Sequence, residues 1–174
     1  PKTKLDYGWR LLELGTDFVC VDTALPNRIV GEGLRAGRVP GLEAYTEVRS
    51  EVPYADKSRV DFLLTGGGPD LYLEVKSANF CRTAPLVEFP DSKTLRGARH
   101  MADLAQMVAL GHRAMVFYLI TRTDCTRAGI ARDIDPAYGA AFDAARAAGV
   151  EVLAMDCNIT PQGITLGEVR SVNP

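Results

Sequence analysis

In SRVDFLLTGGGPDLYLEVKS, Ser58 to Ser77, the charged side chains of Asp61, Glu74 and Lys76 interrupt the apolar pattern of two strand-like runs. Two carboxylates brought together repel unless a cation lies between them or one takes up a proton. Mg2+ accepts a few carboxylate oxygens, water and substrate phosphate oxygens at roughly 2.1 Å. Asp61 and Glu74 therefore have the chemistry of a divalent-metal site. Lys76, next but one after Glu74, could orient a water and offset charge as a phosphoryl centre becomes five-coordinate. The same Asp…Glu-x-Lys spacing also describes a surface strand carrying an ion pair.

Two strands and a turn must position these groups. Side chains alternate between the faces of a strand. Over residues 59–65, Val60, Phe62 and Leu64 would share the core face and Asp61 and Leu63 the other. Over 71–77, Leu71, Leu73 and Val75 would share the core face, with Tyr72, Glu74 and Lys76 opposite. TGGGPD is turn chemistry, and no helix follows it to cradle a phosphate. A further strand is expected at 45–54.

Around this hairpin, WRLLEL reads as a short strand without a partner, and DFVCVDT as another. Pro26 opens a helix over about 27–36, weakened by Gly31 and Gly33 and stopped at Gly37. After a polar loop, Asp91 or Thr94 caps a helix running to about Leu110. RAMVFYLIT, 113–121, is apolar enough for a strand covered on both faces. Asp135, Pro136 and Gly149 delimit a helix, VEVLAMDC forms a strand, and NITPQGITL a small hairpin. Consecutive strands first, then strands alternating with helices, imply an α/β fold: a mixed β-sheet flanked by helices.

Composition sets the outer limits. With 174 residues and 47% hydrophobic content, the chain suits one compact domain with at most a small appendage. No stretch approaches the roughly 18 apolar residues of a membrane helix, and no basic-then-apolar leader opens the chain, so a cytoplasmic protein with no membrane partner is expected. Cys20, Cys81, Cys125 and Cys157 are scattered without metal-knuckle spacing and read as free thiols. The net charge of −2 does not mark a nucleic-acid binder. Between Lys76 and Arg127, however, bases outnumber acids, which allows a local basic surface or an ordinary solvated one.

SRVDFLL, LYLEVKS and EFPDSKTLRGARHMADL together resemble the sugar fermentation stimulation protein A family of bacteria and archaea, as do VDTALPNRIV, SEVPYADKSRVDF, GHRAMVFYLITR and IDPAYGAAFDAARAAGVEVLA. The blocks occur in the family's order from about Tyr7 to the end. The resemblance implies a restriction-endonuclease-like core with the signature Pro-Asp…Asp/Glu-x-Lys. Asp61, Glu74 and Lys76 match that signature, with Val60 in place of its proline. It also implies a third acid on the preceding helix, which falls on Glu32; Glu51 is the competing position, or pairs with Arg59. Residues 1–16 would be the tail of an N-terminal OB-like DNA-binding domain and residues 17–174 the nuclease-like domain.

Arg96, His100 and Asp103 recur at helical spacing, with Leu95, Ala98, Ala102 and Ala105 on a separate, core-facing stripe. Arg96 and His100 either contact the metal cleft or a DNA phosphate, or pair with Asp103 on a polar face. Asp91 either caps the helix or lies near the site. Asn27 is expected as a cap or turn residue, with a site role as the lesser alternative, and His112 at a helix end has no assigned chemistry.

The expected function is therefore a Mg2+- or Mn2+-dependent nuclease-like protein acting on DNA, with Asp61, Glu74 and Glu32 at the metal and a homodimer as one arrangement. The alternative is a DNA-binding regulator of sugar (maltose) metabolism that does not cut.

Overall fold

The structure is a computed structural model describing residues 8–55 and 58–173. Residues 1–7 of the proposed 1–16 segment lie outside the described residues. The chain runs β1(Leu11–Leu14), β2(Asp17–Cys20), α1(Leu25–Arg35), β3(Glu47–Tyr54), β4(Ser58–Thr65), β5(Leu71–Ala78), β6(Phe80–Thr83), β7(Leu86–Phe89), α2(Leu95–Ala109), β8(Arg113–Ile120), β9(Arg127–Ile130), α3(Pro136–Ala147), β10(Glu151–Thr160) and β11(Gly163–Asn173).

Nine strands form one mixed sheet in the order β3-β4-β5-β8-β10-β11-β9-β7-β6. Strands β5, β8 and β10 run parallel, and β3-β4-β5 and β10-β11 antiparallel. The alternating apolar residues of β5 and β8 feed two cores. Leu73, Val75 and Phe117 pack with Ile29 and Val30 of α1 on one face. Val116 and Tyr118 pack with Met101 and Leu104 of α2 and Phe142 of α3 on the other. The mixed sheet flanked by helices is thus what the strand and helix order implies.

Gly31 and Gly33 do more than weaken α1. A Cβ on Gly31 would lie 3.0 Å from the Phe62 ring, and one on Gly33 would lie 2.5 Å from Leu166. Glycine lets the helix lie directly on the sheet, a packing gain that outweighs its poor propensity. At the β4–β5 turn, Gly66 and Gly68 take φ of 82° and 124°. A Cβ on Gly67 would meet the Ala44–Tyr45 backbone at 2.7–2.8 Å.

Several expectations need correction. WRLLEL has a partner: β1 pairs antiparallel with β2. The stretch expected as a polar loop contains β6 and β7, and β9 was also not expected. The last hairpin is far longer than a small turn, since β10 and β11 pair from Ala154↔Arg170 to Thr160↔Gly163. Thr94, not Asp91, caps α2, accepting from the Gly97 amide at 2.9 Å. The buried face of α2 comprises Gly97, His100, Met101, Leu104 and Met107, whereas Leu95 is 89% exposed and Ala102 is exposed. The expected stripe of small residues was misplaced because alanine suits either face of a helix.

Asp135 holds the two long helices in register. Its side chain accepts from the Tyr138 amide at 3.0 Å, capping α3, and from the Thr94 amide at 2.7 Å, at the start of α2.

Candidate metal-binding and phosphodiester site

Glu74 lies at the centre of the site, on the face of β5 covered by α2, and is 3% exposed. Its Oε1 accepts from Lys76 Nζ at 2.8 Å and is in close contact with His100 Nδ1. His100 is also buried, and its Nε2 accepts from Arg96 Nε at 3.3 Å. That contact leaves Nδ1 as the ring nitrogen that donates to Glu74. Burial alone would push the Glu74 carboxyl up; the His100 hydrogen bond and the Lys76 charge outweigh it, and the net shift is downward. Glu74 therefore stays ionised, with its second oxygen, Oε2, buried and without a hydrogen-bond partner among the described residues.

Asp61 meets this group from the neighbouring strand in an unusual way. The β4–β5 ladder ends at Phe62↔Leu73. Beyond it, Asp61 Oδ2 accepts from the Val75 amide at 2.7 Å, and Oδ1 accepts from Asn27 Nδ2 of α1 at 2.7 Å. Alternation along β4 is broken at the same point. Val60 joins the core under α2 with Leu63, whereas Phe62 and Leu64 join the core under α1. Val60 is therefore not on the face expected for it, because the chain turns over at Asp61. Opposite, Glu51 of β3 takes a left-handed φ of 55°. Asp61's carboxyl is pushed up to about 6, first by burial and then by the Glu74 charge; the Val75 and Asn27 hydrogen bonds oppose the rise.

The remaining candidates are distributed around these acids. Glu32 and Glu51 are exposed and border, with Asp61 and Asn27, an open cleft of about 330 Å³ between α1 and the β3–β4 hairpin. Glu32 is held by Arg28 at 2.9 Å, the ion pair of adjacent helical turns. Glu74, Lys76 and His100 lie on the other side of the sheet from that cleft, so Asp61 is the link between the two groups. Asp103 pairs with neither Arg96 nor His100; it accepts from Ser58 Oγ at 2.5 Å. Asp91 is exposed and borders a separate cleft with Ser77 and Asn79, just past Lys76.

Two residues of the site were undervalued from sequence. Asn27 is neither cap nor turn residue but the donor that orients Asp61. Tyr54 of β3 is buried with a hydroxyl that has no partner among the described residues, and burial, then the charges of Glu74, Asp103 and Asp61, push it well above its ordinary value. Only the SEVPY…SRVDF pairing of β3 with β4 could have signalled it.

A hard divalent cation fits this donor set on two observations. Glu74 presents an ionised, unpartnered buried oxygen, and Asp61 is strained electrostatically by a neighbouring like charge. Asp61 and Glu74 would hold the ion; when bound, it would polarise a phosphodiester and lower the pKa of a water. Among the described residues, the acids do not make a three-donor cluster within 4.8 Å; the cluster that meets this distance is Cys81, Asp124 and Cys125.

Residues 24–163 match the family described as "Sugar fermentation stimulation protein RE domain". The chain is 52% identical over 176 residues to a sugar fermentation stimulation protein homolog of Dinoroseobacter shibae, covering 100% of this chain and 72% of the relative. It is 52% identical over 171 residues to the homolog of Ruegeria pomeroyi, covering 97% and 74%. Among solved structures, "The structure of Pyrococcus Furiosus SfsA in complex with Ca2+" superposes with a TM-score of 0.84 at 23% identity, over 91% of this chain and 68% of that one. At that identity the likeness speaks to the fold.

Proposed function

Because this chain belongs to the sugar fermentation stimulation protein family, we propose that it is a divalent-metal-dependent nuclease-like domain acting on DNA phosphodiesters. The observation that carries the reading is the buried, ionised and unpartnered Oε2 of Glu74 beside a second carboxylate, Asp61. A desolvated anion of this kind is costly unless a cation or donor meets it. The similar Pyrococcus furiosus SfsA was solved in complex with Ca2+, and a divalent cation bound by a protein of this fold supports the reading. Mg2+ or Mn2+ is the working ion proposed here.

The chain's own residues then divide the work. Asp61 and Glu74 hold the cation, and Asn27 and the Val75 amide hold Asp61 in orientation. His100 donates to Glu74 and leaves Lys76 Nζ, with its three protons, able to bind a second acceptor such as a water or a phosphate oxygen. Glu32 and Glu51 border the open side of Asp61, and Glu32, or Glu51 in its place, is the third acid of this reading.

One observation favours a reading without cleavage, of which the alternative is a DNA-binding regulator that does not cut. Lys76 and His100 are both engaged on one oxygen of Glu74, an arrangement that also serves as a closed ion-pair cluster. Calorimetric titration with Mn2+, followed by incubation with single-stranded, duplex and branched DNA, separates the two. Metal uptake and cleavage that both disappear in Glu74→Ala are expected. Cleavage unchanged in that variant overturns the proposal, and DNA affinity indifferent to metal supports the regulator.

A further inference from the structure

We propose that Cys81, Cys125 and Asp124 form a binding site for a thiophilic divalent cation, of which Zn2+ is the type, with a fourth position open to water. In sequence the two thiols are far apart. The sheet brings them together: Cys81 is on β6, and Asp124 and Cys125 lie in the connection from β8 to β9. The two sulfurs and a carboxylate oxygen all lie within 4.8 Å of one another. Zn–S bonds of about 2.3 Å and Zn–O bonds of about 2.1 Å set tetrahedral ligands roughly 3.4–3.8 Å apart. Side-chain torsion alone can close the difference.

The backbone on both sides is already pinned. Arg122 Nη1 donates to the Asn79 carbonyl at 3.1 Å, Thr123 N to the Phe18 carbonyl at 3.0 Å, and Thr126 N to the Pro85 carbonyl at 2.9 Å. Ordering these segments therefore costs little when an ion arrives. Arg122 also grips Asp124 through Nε at 2.9 Å and Nη2 at 2.7 Å, keeping the carboxylate oriented. Each of its oxygens retains a lone pair for a metal.

Charge and access fit a divalent ion. Two thiolates and the Asp124 carboxylate are balanced by one dication and the Arg122 guanidinium. Both S–H protons leave to solvent as the two S–metal bonds form, so nothing is oxidised. Cys125 is 1% exposed, while half-buried Cys81 leaves a path from solvent. Sulfur ligands select a softer ion than the all-oxygen acids of Asp61 and Glu74.

The test uses the full chain kept reduced with a phosphine, and Co2+ as the probe. One equivalent should produce thiolate-to-metal charge-transfer absorption in the near ultraviolet, and one equivalent of Zn2+ should remove it. Cys81→Ser and Cys125→Ser should each abolish the band, and Asp124→Asn should weaken Co2+ affinity by about tenfold or more. The Asp61→Asn, Glu74→Gln double variant should keep the band, so loss of the nuclease reading leaves this site standing. Circular dichroism of Cys81→Ser, the half-buried position, checks that folding is intact. A reduced protein that develops no band, or a band that survives Cys81→Ser, overturns the proposal.

Discussion

Asp61 Oδ2 takes the Val75 amide hydrogen at 2.7 Å, at the place where the ladder between β4 and β5 stops. Extending the register by one residue would put Asp61 opposite Glu74. A backbone amide is thus bound by a side chain, and the two strands part. The fork sets one carboxylate between the strands and the next beneath α2. Each following prediction probes one part of that arrangement.

Removing the charge of Glu74 should remove metal-dependent chemistry while leaving the fold. Glu74→Gln keeps the shape and one acceptor for His100 but loses the anion that holds Lys76. Cleavage is expected to fall by about a hundredfold or more, judged against losses seen when a preorganised electrostatic group is removed. Single-turnover assays with Mn2+ would read it, with the urea midpoint as the control for folding.

Asp61 should titrate with a midpoint near 6 in the metal-free protein. Its unfolded value is the ordinary 3.8, so the folded state holds the proton more tightly. The stability it contributes is fully present below about pH 3.8 and is lost as pH rises through about 6, on the order of 3 kcal/mol. Carbon-detected NMR of the side-chain carboxyl would give the midpoint directly. Saturating Mg2+ should lower it, because a nearby cation favours the ionised form. Glu74→Gln should also lower it, though not to 3.8, since burial remains the larger cause.

His100→Phe should cost about 1–3 kcal/mol of stability. The substitution leaves a buried carboxylate short of a donor at Glu74 Oε1 and frees Arg96 Nε. His100→Gln, which retains a donor, should recover part of that loss. Urea denaturation of both variants is the check; equal midpoints for the two would contradict the role given to Nδ1.

Asp135→Ala should be more damaging than an ordinary cap deletion. It deletes the acceptor for Tyr138 N in α3 and for Thr94 N at α2 together. A single cap is worth about 0.5–2 kcal/mol, so a loss of about 2–4 kcal/mol is expected. Thermal melts followed by circular dichroism would measure it.

Much of this site could be read from the amino acids because its chemistry is local in sequence. Glu74 and Lys76 share a face by strand alternation, and Leu73 and Val75 take the other, as the pattern requires. Asp135, Pro136 and Gly149 marked α3 because caps and stops act within a turn. What escaped reading depends on distant partners. β6, β7 and β9 are four-residue strands whose pairing comes from elsewhere in the chain. The turn-over at Asp61 needs Asn27, which periodicity alone cannot connect to β4. His100 looked like one member of a polar stripe, whereas it is buried because Glu74 lies beneath it. Asp103 looked like its natural partner until Ser58 claimed the acid.

The sheet has a seam. Among the described residues, the ribbon β9-β7-β6 joins the other strands by a ladder only where Ser171–Asn173 lie beside Arg127–Gly129. During synthesis, β6, β7 and β9 leave the ribosome long before β11 does. Until β11 arrives, β9 presents a bare edge that neighbouring nascent chains could pair with. The strand emerging last of these serves as the keystone, and zipping it into place would end the window in which growing chains can stick together.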